Sequence, residues 1–186
     1  LIAKSLKAQQ PEARALMVRI LLVEGKTRPA YNIADQILQK DLRNGDALLV
    51  RSARLIAEKK FDEAIADANI VVSDAPQNVY GYAMLGKALS AKGNKIRARQ
   101  VFEQGMDALP QSRTLARYYK ELLLSWGETK RIVSLDKEVA LANPSSIRSW
   151  AVFGESCSRF GDALCAEEAK QGLSRAKMSF IVDDPP

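Results

Sequence analysis

Apolar side chains recur along this chain at helical spacing. Between residues 79 and 112, Tyr82, Leu85, Gly86 and Leu89 fall at i, i+3, i+4 and i+7, one face of a helix. Gly93-Asn94 breaks that pattern. Ala98, Phe102 and Gly105 then follow at i, i+4 and i+7 as one face of a second helix, and Pro110 closes the segment. The pattern predicts two amphipathic helices joined by a short turn.

That unit repeats. Pro76, Pro110 and Pro144 are each 34 residues apart, as are Asn44 and Asn78, and Ala30, Ala64 and Ala98. Segment 45–78 carries Leu48, Leu55, Ala64, Val71 and Pro76 in register. Segment 113–146 carries Ala116, Tyr119, Leu123, Gly127, Ile132, Val139 and Pro144. Segment 147–180 carries Trp150, Phe153, Gly154, Gly161, Ala166 and Leu173, and segment 11–44 carries Met17, Leu21, Gly25, Ala30, Ala34 and Ile37. Generic amphipathic helices would not keep one register through five copies.

A helix-turn-helix unit of this length resembles the tetratricopeptide repeat. The family pattern W-x2-LG-x2-Y…A-x3-F…P is matched in 79–112 by Leu85, Gly86, Ala98, Phe102 and Pro110, with Tyr82 for Trp and Leu89 for Tyr. The resemblance implies an all-α fold, a right-handed α-α superhelix (solenoid) of five stacked repeats. The repeats are 11–44, 45–78, 79–112, 113–146 and 147–180, the last with a polar capping helix over 163–178. Residues 1–10 are expected to be the second-helix tail of a truncated preceding repeat, and 181–186 a C-terminal tail. An apolar edge exposed at that N-terminal repeat would be a route to self-association.

Small residues such as Ala64, Ala98, Gly86 and Gly154 suit the crossing points of paired helices, and large apolar ones fill the gaps between units. Gly25, Gly93, Gly127 and Gly161 share one repeat position past the first helix, where a left-handed C-cap is expected. The copies also depart from the family. Lys120 and Val18 stand where Gly is preferred, Ile132 where Ala is usual, and Asp136 where a large apolar side chain is usual. Looser packing is expected in 113–146.

In this family the first helices line a concave, peptide-binding groove. Carried over, the protein-binding positions are Arg19, Val50, Tyr80, Met84, Lys87, Arg117, Tyr118, Glu121, Arg148 and Glu155, with Ala53, Leu49, Ala83, Leu16, Ala15, Ala151 and Val152 in the same rows. Such a surface is apolar in the first half of the chain and mixed in charge in the second. The Lys/Asn clamp by which one subgroup grips a terminal carboxylate is absent, since its rows hold Ala53 and Leu49. The implied function is a non-enzymatic scaffold for a protein or peptide partner. The alternative is a docking or regulatory region of a larger enzyme or envelope-assembly machine.

Cys157 and Cys165 are the only cysteines, eight residues apart across the Gly161-Asp162 turn. They are either a disulfide staple, favouring the periplasm over the cytoplasm, or two small buried thiols. Sel1-like relatives also carry a C-x7-C bridge, at another place in the repeat.

Composition narrows the chemistry. The chain has 186 residues, 47% of them hydrophobic and 27% charged, with 10 Gly and 7 Pro, which suits helices better than a turn-rich β fold. It contains no His, so the chain alone makes no Ser-His-Asp triad, HExxH zinc site or imidazole base. Two Cys without His are too few soft ligands for a metal, and no glycine-rich phosphate loop implies a cofactor. Asp62/Glu63, Glu167/Glu168 and Asp183/Asp184 are adjacent pairs, which diverge on helices and make no catalytic dyad. The net charge of +6 is spread along the chain. The cluster Lys92, Lys95, Arg97, Arg99 lacks interleaved aromatics, so no nucleic-acid partner is expected. The longest apolar run, Ile20-Leu21-Leu22-Val23, is far below the roughly 20 residues of a membrane helix.

Overall fold

The computed structural model describes Met17, Leu21 and residues 24–182. Arg19, Leu16, Ala15 and the expected repeat tail at 1–10, with its apolar edge, lie outside these residues. The described residues form helices α1 (Thr27–Leu38), α2 (Gly45–Ala57), α3 (Phe61–Asp74), α4 (Val79–Ala91), α5 (Lys95–Ala108), α6 (Arg113–Trp126), α7 (Thr129–Ala142), α8 (Ile147–Phe160) and α9 (Ala163–Val182). This is an all-α helical repeat solenoid. First helices begin at Gly45, Val79, Arg113 and Ile147 and second helices at Thr27, Phe61, Lys95, Thr129 and Ala163, each 34 residues after the last. Helix α9 runs to Val182, two residues into the segment expected as a tail, because no Gly or Pro interrupts the chain between Gly172 and Pro185.

The period reaches the caps. Asn44, Asn78, Ser112 and Ser146 occupy one repeat position, and each side chain accepts a hydrogen bond from an amide in the first turn of α2, α4, α6 and α8 respectively. Gly93 and Gly127 adopt φ of 90° and 74° after their first helices, and Gly25 and Lys59 take φ of 73° and 61° at the same repeat position. Gly161 departs from that expectation, with φ −101° and extended backbone. Space is what glycine supplies there: a Cβ would lie 2.9 Å from the Cys157 Cα and 3.0 Å from the Cys165 Sγ.

The chain divides into two compact units at Val101/Phe102, inside α5. In the first unit α2 packs along α3, α3 along α4, and α2 also touches α4. Ala30, Ala34, Leu48 and Val71 are buried together, and Leu55, Ala64 and Ala88 form a second cluster. Ser52 stands in the family's glycine position; it is wholly buried and its hydroxyl donates to the Ala64 carbonyl at 3.0 Å. Arg51 donates twice to buried Asp67, both at 2.7 Å, and these bonds hold its guanidinium pKa above the ordinary value.

In the second unit Phe102 and Tyr119 stack with centroids 4.9 Å apart and planes 1° from parallel, and both rings are fully buried. Cys157 and Cys165 form a disulfide, Cα atoms 5.4 Å apart, joining α8 to α9. Trp150 donates its indole N–H to the Pro144 carbonyl at 2.9 Å and lays its ring over Gly172, where a Cβ would come within 2.1 Å of the ring. Helices α6 and α7 approach each other at fewer positions than α2 and α3 or α8 and α9. The reason lies in the repeat positions. Where other copies carry Ala64, Ala98 and Ala166 at this position, this copy buries the larger Ile132.

Candidate interaction cleft

Lys120 and Asp136 looked like two separate departures from the repeat, and the fold makes them one. Lys120 on α6 forms an ion pair with Asp136 on α7, and the Asp136 carboxylate also accepts from the Ser156 hydroxyl on α8. Lys120 Nζ lies 2.9 Å from Ser156 Oγ, so one ammonium reaches both neighbouring helices. Asp136 and Ser156 are 4% and 1% exposed. A buried carboxylate is tolerable only with its charge and its lone pairs satisfied, and this trio satisfies both.

Above the trio lies a cleft of about 440 Å³ between α6 and α8. Arg113, Thr114 and Arg117 line it from α6, Val139 from α7, and Arg148, Ser149, Val152 and Glu155 from α8, with Lys120 and Asp136 within it. Arg113 and Arg148 sit in the first turns of their helices, just after the Ser112 and Ser146 caps, and neither first turn holds an acidic residue. A cation at a helix N-terminus opposes the helix dipole, a cost of about 0.3–1 kcal/mol. Arg113, Arg117 and Arg148 are exposed, and among the described residues none of them has an ion-pair partner. Arg117 instead lies over the Tyr118 ring, 5.1 Å from its centroid. The α6 and α8 faces thus hold three arginines available to an anion, with Glu155 two turns along α8 from Arg148.

Of the expected binding residues, Arg117, Arg148 and Glu155 line this cleft, while Tyr118 is half-buried and Glu121 exposed on the same helix as Arg117. The corresponding faces in the first unit differ. Val50, expected on a binding surface, is 7% exposed and packs with Ala30, Ile37 and Leu48, so it belongs to the core; Ala83 is buried too. Tyr80 is half exposed and Met84 and Lys87 are half-buried. Arg113, Thr114 and Ser149 were not foreseen. Their signal was the cap: two Ser-capped helix starts each followed within two residues by Arg.

Among the described residues no three His, Cys, Asp or Glu side chains gather as metal ligands, and no helix is long and apolar enough to cross a membrane. The Lys92, Lys95, Arg97, Arg99 cluster is partly spent internally, since Lys92 pairs with Asp62.

The fold is that of a tetratricopeptide-like helical repeat protein. It is similar to TTC0263, a thermophilic tetratricopeptide repeat protein of Thermus thermophilus, at TM-score 0.62 and 16% identity over 91% of this chain and 93% of that one. It is similar to PilF of Pseudomonas aeruginosa at TM-score 0.60 and 17% identity, over 96% and 84% of the two chains. It is also similar to YrrB, described as having an unusual peptide-binding site, at TM-score 0.53 and 13% identity over 96% and 92%. No family model and no curated protein sequence matches the chain.

Proposed function

We propose that this chain is a non-enzymatic interaction scaffold whose first helices hold an extended segment of a partner protein, with the α6–α8 cleft as the principal contact. The observation that carries this reading is the cleft itself, an open recess floored by a satisfied polar network and walled by side chains on regular helices. Helix-borne walls are fixed before binding, so little ordering entropy is lost by the scaffold. YrrB, with its peptide-binding site, shares the fold, which makes such use of it reasonable. The Cys157–Cys165 disulfide fits work in an oxidising compartment such as the periplasm.

The test is selection of displayed random peptides on the folded, oxidised protein, followed by affinity measurement on two variants. Thr114→Trp fills the cleft from α6 and should abolish binding of the selected peptides. Ser134→Trp, on the exposed face of α7, should leave it unchanged. Peptides that bind both variants alike, or a selection that yields none, would contradict the proposal.

A further inference from the structure

Resting on that reading, we infer that the segment held in the α6–α8 cleft is acidic, with at least two Asp or Glu side chains spaced to meet Arg113, Arg117 and Arg148. Three features converge. The arginines line one recess, are exposed, and have no ion-pair partner among the described residues. Arg113 and Arg148 occupy first helical turns, where a cation opposes the helix dipole unless an anion lies beside it. A carboxylate placed there meets the guanidinium groups and the positive ends of two helices together. A sequence that breaks a local rule twice at one recess, with no compensating group of its own, points to a ligand that compensates.

The remaining lining selects a peptide over other polyanions. Glu155 stands farther along the α8 wall and repels a uniformly charged phosphate backbone, while Val152 between Arg148 and Glu155 offers an apolar contact. Base stacking lacks a platform here, because no aromatic side chain is among the residues that line the cleft. The ligand is therefore acidic at the end near the helix starts and apolar or basic toward Glu155.

The experiment uses fluorescence anisotropy with labelled peptides of one length: a Glu-rich peptide with interspersed Leu, its Gln counterpart and its Lys counterpart. The Glu peptide should bind at least about tenfold more tightly than the Gln peptide, as loss of charge-assisted hydrogen bonds implies, and its affinity should fall with added salt. Arg117→Glu with Arg148→Glu should reverse the order in favour of the Lys peptide, whereas Lys95→Ala with Arg97→Ala, on the other basic cluster, should change nothing. Circular dichroism confirms that each variant is folded. Equal binding of Glu and Gln peptides, or an effect of the Lys95/Arg97 variant as large as that of the cleft variant, overturns the inference. So does tighter binding of a single-stranded oligonucleotide that displaces the Glu peptide. If the random selection yields cleft-binding peptides without acidic preference, only this inference fails; if it yields none, the underlying reading fails with it.

Discussion

The two units solve the same packing problem differently at one repeat position. In the first unit that position holds Ser52, small enough to vanish against the Ala64 carbonyl, and α2 and α4 touch directly. In the second it holds Lys120, whose ammonium extends to Asp136 and Ser156, and a cleft opens between α6 and α8. On this account the lysine keeps α8 from closing onto α6, and the buried aspartate keeps the lysine in place. One repeat register thus holds a serine–carbonyl contact in one unit and a Lys–Asp–Ser network beside a cleft in the other. The second unit also has the disulfide and the Trp150–Gly172 contact, where the first joins an aliphatic core to the Arg51–Asp67 ion pair.

The largest expected effect comes from splitting the coupled pair. Lys120→Met leaves Asp136 buried and unpaired and should cost about 3 kcal/mol or more in urea unfolding. Lys120→Met with Asp136→Leu should recover most of that loss, since the cost lies in the orphaned charge. A double variant as unstable as the single one would show that the trio is not a unit.

Gly172→Ala follows at about 2–3 kcal/mol, because a Cβ there drives into the Trp150 ring. Gly154→Ala, whose Cβ would meet Ala169 at an ordinary 3.6 Å, should be close to neutral in the same melts. Equal costs would mean the Trp150 ring moves aside freely. Reducing the disulfide should cost about 2–3 kcal/mol by loop-closure entropy. Hydrogen exchange should locate the loss in α8 and α9, with the first unit's helices unaffected.

Smaller effects test the turns and the surface. Lys59→Gly should stabilise by about 0.5–1 kcal/mol, since Lys59 holds a left-handed backbone that glycine takes without penalty. Gly127→Ala should destabilise by a similar amount. The least effect belongs to Arg43 and Asp74. Hydrogen bonding from Arg43 holds the Asp74 carboxyl below its usual range. A lowered folded-state pKa gives stability that is present above the unfolded value and lost as pH falls through the folded one. The pair lies on the exposed surface and is screened, so Asp74→Asn should slightly flatten the acid limb of a stability–pH curve, and salt should erase the difference.

The repeat architecture was legible in the sequence because its signals are local and periodic. Prolines, glycines and alanines at intervals of 34 residues mark turns and crossings, and the observed helix starts keep that interval. Lys59 shows that the turn position outlasts its usual residue. The cleft was legible only in part. Arg117, Arg148 and Glu155 came from the repeat rows, but Lys120, Asp136 and Ser156 are separated by 16 and 20 residues and meet only through the packing of three helices. Gly172 stands where the other copies carry Gln36, Ile70, Gln104 and Glu138, and its role appears only with Trp150 laid across it. Val50 sits in a groove row yet turns into the core, because α1 and α2 pack together in that unit.

The most direct test of the coupled pair as the cause of the cleft is a crystal structure of the Lys120→Gly, Asp136→Leu variant, which restores the repeat pattern at both positions. The account predicts that α8 moves onto α6 toward the roughly 8–10 Å axis separation of packed helices and that the recess disappears. A folded variant that keeps the cleft at its present volume of about 440 Å³ would contradict it.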